Sequence, residues 1–409
     1  MTRARRGPRR EMTRGVVRAA LAAALAATPL AAQELPPPLG ADTTLVPAHA
    51  RPRQRVLLET QARAWRVGDA EAREYLAGLT WTLRADRFEA RLRGTPLLFD
   101  TDSLDIGGMI PVSLRLSYFP RSGDTLALLV ASPTAPPSLD EAQVGAIGRV
   151  GVTTMDIASL QLGTPFTVGG RAALSWPAGD VVLGVRGAVE WQPRPATPEF
   201  VIWRGTTLRG GAWLTGDLGP VRATVGGDVS WSSADTLAGN NMFPGGGAVT
   251  LELRTTTPLA GQGGAELDVG GAMAIPFDVQ QRDQPNRLLP LGNFYVGSAS
   301  VLVPLGKAAL IPAVEVQGEQ GTASLTLGPL TNTLQSSNWA GRGSLALLLP
   351  LGGRLDLAPE AGFATGSVDG TFTSVFVPPI RRWRTLSRTR QFSDAVRGWW
   401  VGVALGASW

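Results

Sequence analysis

Hydrophobic and polar residues alternate with a period of two along most of this chain. Residues 397–409 show the pattern most clearly, because one face carries large apolar side chains and the other carries mostly glycine, alanine and serine. Successive side chains of a β-strand point to opposite faces, so the alternation predicts a strand. A strand of a soluble sheet would place charges on the face away from the core. Here that second face is small and nearly uncharged.

Sixteen such segments are predicted, and the connections between them are alternately short and long. The predicted strands are 56–67, 73–83, 87–94, 110–119, 124–132, 165–176, 180–191, 206–216, 219–231, 246–256, 264–276, 294–303, 307–318, 340–349, 353–366 and 397–409. Long connections are predicted at 133–164, 192–205, 232–245, 277–293, 319–339 and 367–396. This organisation is typical of an all-β, antiparallel, up-and-down transmembrane β-barrel with short periplasmic turns and long extracellular loops. A count of fourteen strands stays open, because 56–67 has a poor phase and 124–132 is short.

The last segment resembles the C-terminal strand of bacterial outer-membrane β-barrels, which alternates and ends on Phe or Trp. The resemblance implies that this strand closes the barrel against the first one. It also implies a location in the outer membrane of a Gram-negative bacterium, in contact with outer-membrane lipid and lipopolysaccharide. The barrel-assembly machinery and periplasmic chaperones would then read the last strand as an assembly signal, carried by Trp399, Val401, Val403, Leu405 and Trp409. An ordinary edge strand of a soluble sandwich is the alternative.

The charges indicate which face of each strand meets lipid. An Arg or Lys that faces lipid near the bilayer midplane costs about 2–4 kcal/mol, so the apolar face is predicted to point outward. Six tryptophans then fall at strand ends: Trp81, Trp176 and Trp409 at the periplasmic ends, and Trp191, Trp231 and Trp399 at the outer ends. Amphipathic rings settle at membrane–water interfaces, so these positions predict two aromatic girdles.

The N-terminal residues predict export through the inner membrane. Arg14 and Arg18 precede an apolar stretch at residues 19–27 and a group of small residues, which is typical of a secretory signal peptide. Residues 1–33 are therefore predicted to be cleaved, and translation from Met12 is a hypothesis. Residues 34–54 are proline-rich and predict an extended periplasmic leader. Residues 55–409 are left to form the barrel.

Composition excludes several classes of function. The sequence pI is near 10.5, but the seven arginines and one acid of residues 1–33 account for the excess of positive charge and leave about −1 for the rest. No nucleic-acid partner is therefore expected. The chain has no cysteine, and its single histidine, His49, lies in the leader. Ser-His and Asp-His hydrolases need an imidazole beside the reacting atoms, so no enzyme is expected, and no metal or cofactor.

With the apolar face outward, the charged face lines the lumen. The predicted pore-lining basic residues are Arg84, Arg87, Arg91, Arg93 and Arg115, and the acidic ones are Glu252, Glu266, Asp268 and Glu315. In a sixteen-strand barrel the two sets face each other across the pore, which resembles the transverse field of general diffusion porins. The other hypothesis is that these charges pair with their neighbours and neutralise a packed lumen.

Two outer loops carry further candidate residues. Loop 133–164 contains a capping-box pattern at 138–141 and follows the fifth strand, the place from which general porins fold a constriction loop. Asp140, Glu141 and Asp156 are thereby predicted to lie near the pore, with a small helical lid as the alternative. The last outer loop carries Arg381, Arg382 and Arg384, whose guanidinium groups match the phosphates of lipopolysaccharide or anionic solutes. A solvated basic loop is the other interpretation.

These patterns together predict an outer-membrane channel through which small solutes diffuse passively. Two alternatives stay open: a closed structural or adhesive barrel, and a transporter of hydrophobic compounds that resembles long-chain fatty-acid channels. The resemblance to porins implies a homotrimer.

Overall fold

A computed structural model describes residues 54–409 except for 69, 102–103, 122, 134–165, 194–201, 204, 234, 238–239, 244–245, 260–263, 278–290, 328–329, 353 and 377–385. The predicted signal peptide and nearly all of the leader, the loop residues Asp140, Glu141 and Asp156, and the arginines Arg381, Arg382 and Arg384 lie outside this description. No helix in the described part of the chain is long and apolar enough to cross a membrane.

The described residues contain nineteen β-strands. In chain order they are β1 (Gln54–Val67), β2 (Ala70–Ala85), β3 (Phe88–Thr101), β4 (Leu104–Tyr118), β5 (Thr125–Ala131), β6 (Thr167–Ala178), β7 (Val181–Trp191), β8 (Ile202–Trp203), β9 (Thr206–Leu218), β10 (Val221–Ser232), β11 (Asp235–Leu237), β12 (Asn240–Phe243), β13 (Gly246–Pro258), β14 (Glu266–Phe277), β15 (Leu291–Leu305), β16 (Ala308–Leu327), β17 (Leu330–Gly352), β18 (Leu355–Phe376) and β19 (Leu386–Ser408).

Sixteen of these strands form one closed antiparallel barrel, and β8, β11 and β12 form a small separate sheet. Each barrel strand pairs with its neighbours along the chain. The barrel closes where β1 pairs with β19, in a register that runs from Arg55 opposite Ser408 to Val67 opposite Val396. The predicted all-β, up-and-down barrel of sixteen strands is therefore confirmed, and each predicted strand overlaps one barrel strand.

The exterior of the barrel is apolar across the predicted membrane span. On β19, Trp399, Val401, Val403 and Leu405 are exposed, while the residues between them point inward. The six tryptophans of the two predicted girdles are between 40% and 53% exposed. In water this surface would be a large exposed apolar patch, so hydrocarbon is its natural surrounding.

The barrel wall is much taller at β16–β19 than the sequence pattern predicts. The connections expected at 319–339 and 367–396 are largely strand, because β17 and β19 are each 23 residues long. Such a strand, rising about 3.3 Å per residue and tilted by about 40°, spans roughly 58 Å, whereas the apolar band of such barrels is about 25 Å tall. Above Trp339 the exterior becomes polar, as at Ser337, Asp369 and Gln391. The upper half of this wall therefore stands in extracellular water.

Aromatic rings lie over glycines on the neighbouring strand at several places in the described wall. Trp400 covers Gly362, Trp65 covers Gly398, and Tyr295 covers Gly318; each pair is directly opposite in the register. Trp213 over Gly184, Phe277 over Gly247, Phe363 over Gly343 and Phe392 over Gly370 repeat the arrangement. Such pairs restore packing that glycine alone lacks and help to fix the register.

Candidate functional site in the barrel lumen

The first four strands bring a group of arginines to the inner wall. On β2 and β3, Glu89 lies between Arg84 and Arg91, with a nitrogen–oxygen distance of 3.3 Å to each. The Arg84 guanidinium also stands 5.2 Å from the centre of the Phe119 ring. Two of the predicted basic residues are thus drawn to one carboxylate, which lowers the positive charge that they present to the pore.

The other predicted basic residues differ in position. Arg115 on β4 is directly opposite Arg91 on β3, and Arg93 lies two residues further along the same inner face. Arg87 lies in the exposed turn between β2 and β3, where its side chain donates to the Pro120 carbonyl at 3.1 Å. The structure therefore brings Arg84, Arg91, Arg93 and Arg115 together on the inner wall and leaves Arg87 at the periplasmic rim.

Three of the four predicted acidic residues form ion pairs with arginines. Their carboxylates lie 2.7–3.6 Å from a guanidinium nitrogen: Asp268 pairs with Arg254, Glu252 with Arg186, and Glu315 with Arg342. Arg254 binds Asp268 through two nitrogens, which is the strongest geometry for such a pair. Glu266 begins β14 at its periplasmic end, opposite Pro258 and Leu302.

The pair between Arg186 and Asp228 spans three strands. Arg186 lies on β7 and Asp228 on β10, and both are opposite Gly211 on the intervening strand β9. A Cβ at Gly211 would overlap the Asp228 carboxylate, so the absence of a side chain allows the two groups to meet. Arg186 also reaches Glu252 on β13 at 3.3 Å. One guanidinium therefore links three strands of the inner wall.

The inner side of the seam between β1 and β19 is densely packed. Trp65, Val67, Val396 and Trp400 belong to an apolar cluster together with residues of β17 and β18, and Trp65 is only 5% exposed. Beside it, Arg63 and Glu74 form an ion pair at 3.6 Å whose two side chains are almost entirely buried. Side chains thus cover part of the lumen wall.

Sequence reasoning did not single out Arg186 and Arg342 as ion-pair partners, and it missed this seam. The phase of β1 is hard to find because its inner face mixes charges with the apolar residues Leu57, Trp65 and Val67. One signal was present for Asp228: a charged residue follows two glycines inside a strand that otherwise alternates cleanly. Among the described residues, no group of three His, Cys, Asp or Glu side chains is placed to hold a metal ion.

The predicted assembly residues lie together on the exterior. Trp399, Val401, Val403, Leu405 and Trp409 point away from the lumen on the strand that closes the barrel. Their position is the same apolar face that meets lipid, and their reading by the assembly machinery stays a prediction.

No family model matches this sequence, and no curated protein matches it. Solved structures with a similar fold include a loop L8 deletion mutant of OmpT, an outer membrane protein of Vibrio cholerae (10% identity, 86% of this chain, 98% of that chain, TM-score 0.39). Another is an anion-selective porin from Comamonas acidovorans (11% identity, 86% of this chain, 98% of that chain, TM-score 0.36). A third is the outer membrane protein OpdK from Pseudomonas aeruginosa (9% identity, 87% of this chain, 99% of that chain, TM-score 0.42). With sixteen strands closed on one another, an apolar exterior and charged side chains on the interior, the fold of this chain is that of a closed transmembrane β-barrel.

Proposed function

We propose that this chain forms a channel through which small solutes diffuse passively across the outer membrane. The observation that carries the proposal is the closure of sixteen strands around an inner wall that bears ion-paired side chains. An eight-stranded barrel is just wide enough for its own side chains to fill, whereas barrels of about 16–18 strands leave an aqueous channel. Charged groups that reach the lumen, such as the partly exposed Arg254 and Asp268, are stable beside water and costly in a dry interior.

The pairing of the wall charges favours a channel with weak charge selectivity. Glu252, Asp268 and Glu315 are each close to an arginine, and Glu89 holds two. Fields from such pairs cancel within a short distance, and salt screens what remains over about 8 Å at physiological ionic strength. The paired-lumen hypothesis therefore has more support than a strong transverse field.

A closed structural barrel is the second candidate. The packed cluster around Trp65 and Trp400, with the buried Arg63–Glu74 pair beside it, favours this alternative because it covers part of the inner wall. A transporter of hydrophobic compounds has less support, since its path would cross a wall that carries ion pairs on most strands.

Conductance across a planar lipid bilayer separates these candidates. The purified barrel is expected to insert in discrete steps, with a current proportional to voltage and a small reversal potential in a salt gradient. Heat-denatured protein serves as the control for leakage through damaged lipid. Absence of current above that control at any voltage would refute the channel and leave the closed barrel.

Assembly into a homo-oligomer is also proposed. Strand β5 has seven residues and spans only about 18 Å when tilted, which is less than the roughly 25 Å apolar band. Beside it the exterior carries an apolar groove of about 710 Å³ whose lining includes Ala90, Gly170 and Gly187. A second copy packed against this low wall would cover the mismatch, and light scattering of the detergent-solubilised protein tests it.

Export by a cleaved signal peptide belongs to the same proposal. The intact mass of the outer-membrane protein is expected to lack residues 1–33. A mass that includes them would refute the cleavage.

A further inference from the structure

The extracellular part of β19 has one side of its backbone unpaired. β1 pairs with β19 only as far as Val67 opposite Val396, and the Gly68 N–H then donates to the Ala395 carbonyl at 3.0 Å. Above that contact, β18 is the only described strand that pairs with β19. Residues 387–395, the open edge, therefore extend about 30 Å without a neighbouring strand on the β1 side.

Alternate residues of the open edge direct their backbone groups to the unpaired side. At the lower end of the same seam, Gln54 and Trp409 exchange two backbone hydrogen bonds of 3.0 Å each. Every second residue of an antiparallel pair makes such an exchange, so the odd-numbered residues of β19 face β1, as Ala395 does. The N–H and C=O groups that continue this series upward belong to Ser393, Gln391, Thr389 and Ser387. Another extended backbone supplies donors and acceptors at the same spacing.

Two of the usual obstacles to strand addition are absent from the open edge. Residues 387–395 contain no proline, and their register with β18 continues without a bulge. Prolines and bulges are devices by which natural sheets protect their edges. The exterior face of this segment carries uncharged polar side chains, namely Ser387, Thr389, Gln391 and Ser393.

Charge decides which strand fits the open edge. Arg388 and Arg390 lie on the face of β19 that also carries Trp400, and both are exposed. Neither is opposite an acid on β18, and neither forms an ion pair with a described residue. Opposite charges on neighbouring strands stabilise a pair, whereas like charges destabilise it. A second copy of this chain would bring the same two arginines to the contact, so the charges disfavour it and favour an acidic strand.

We propose that the open edge binds an extended segment of a second protein outside the cell, by addition of a strand with acidic residues beside Arg388 and Arg390. The backbone groups provide the affinity, and the two arginines select the sequence. The edge belongs to the extracellular part of the wall, so the inference does not depend on whether the lumen conducts.

A synthetic peptide of alternating threonine and glutamate, about ten residues long, is the probe. Fluorescence anisotropy measures its binding to the detergent-purified barrel. Thr389→Pro removes one N–H from the open edge and leaves the pairing with β18, which uses the residues on either side. Binding should weaken about tenfold, because a backbone hydrogen bond is lost and the ring obstructs the partner. Thr389→Ala is the matched control: it also loses the hydroxyl contact with Thr373 but keeps the N–H, so binding should change by less than about twofold.

The charges and the backbone contacts have separate tests. Arg388→Glu and Arg390→Glu should each weaken binding of this peptide about threefold, and the double variant should prefer a peptide with lysine in place of glutamate. Hydrogen exchange distinguishes strand addition from a purely electrostatic contact. The peptide should slow exchange of the Thr389 and Gln391 amides but not of the Arg388 and Arg390 amides, which already face β18.

Three results would overturn the proposal. The first is absence of binding to the wild type at millimolar peptide concentration. The second is equal binding by Thr389→Pro and Thr389→Ala. The third is a change in the particle mass of Thr389→Pro by light scattering, which would show that a second copy of this chain occupies the edge.

Discussion

Replacement of Gly362 by alanine should weaken the seam between β18 and β19. A Cβ at this position would overlap Cζ2 and Cε2 of the Trp400 indole and lie 2.7 Å from its Cη2. The ring has little room to move aside. Trp400 is only 9% exposed, its centroid lies 6.4 Å from that of Trp65, and its Nε1–H donates to Glu360 at 3.3 Å.

The size of the effect follows from these contacts. An extra methyl group in a packed site costs typically about 1–3 kcal/mol, because the neighbouring side chain leaves its rotamer. A displaced indole also loses its hydrogen bond to the Glu360 carboxylate, worth about 1 kcal/mol. Alanine in a strand regains roughly 0.5–1 kcal/mol over glycine. The net expectation is a free energy of unfolding lower by about 2 kcal/mol.

Equilibrium unfolding in urea, with the barrel refolded into phospholipid vesicles, measures this loss. Gly297→Ala is the matched control: Gly297 lies within β15, and a Cβ there would have nothing within 4 Å, so its stability should be unchanged or slightly higher. In a Trp400→Ala background the same Gly362→Ala change should cost almost nothing, which isolates the pair. Equal stability of Gly362→Ala and Gly297→Ala would refute the reasoning.

Three further predictions concern charges. Arg186→Ala removes the guanidinium that contacts the buried Asp228 and Glu252 carboxylates and should lower the free energy of unfolding by about 3 kcal/mol or more. Replacement of Arg171, whose side chain is more exposed than that of Arg186, by alanine should lower the free energy of unfolding by less than about 1 kcal/mol, so similar losses would contradict the ranking. Hydrogen bonds from Ser393 and a second serine lower the pKa of Asp369 in the extracellular wall. The Asp369 carboxylate therefore contributes stability above about pH 4, and this contribution is lost as the pH falls through the lower pKa of the folded state. Hydrogen exchange of β18–β19 should accelerate in acid. The acceleration should be less steep in Ser393→Ala, which lacks one of the two hydrogen bonds. Glu315→Gln removes a negative charge, so the reversal potential in a salt gradient should shift in the direction of anion selectivity. An unshifted potential would place the Glu315–Arg342 pair away from the path of the ions.

The strand count and the outward face were predictable because lipid imposes one rule on the whole exterior. Every side chain that meets hydrocarbon must be apolar, so Val401, Val403 and Leu405 repeat at every second position, and the tryptophans collect where the hydrocarbon ends. The rule does not depend on which strands are neighbours. A single strand therefore carries enough information to be recognised by itself.

The height of β16–β19 was not predictable by the same rule, because the rule stops at the membrane surface. Above Trp339 the outer face of the wall is polar, as at Asp369, while the inner face mixes glycine and polar residues with apolar ones such as Val368 and Phe392. A segment without alternation reads as a loop. What extends these strands is backbone hydrogen bonding between neighbours, as in the continuous register from Leu330 opposite Phe376 downward, and no side-chain period records it.

The partners of the lumen charges were out of reach for a related reason. The alternation of every second residue assigns Glu252 to the inner face. Its contact with Arg186, 66 residues earlier, depends on the register of four strands and on the space left by Gly211, and neither can be read from the alternation. Distance then decides between the two hypotheses. Coulomb energy falls as the inverse of separation, so an arginine at 3.3 Å acts at least three times more strongly than one roughly 10 Å or more away across the pore, before salt screens the distant one further. Because the register places a guanidinium beside Glu252, Asp268 and Glu315, the local ion pair dominates at each of them. Only charges without such a close partner contribute to a field across the lumen.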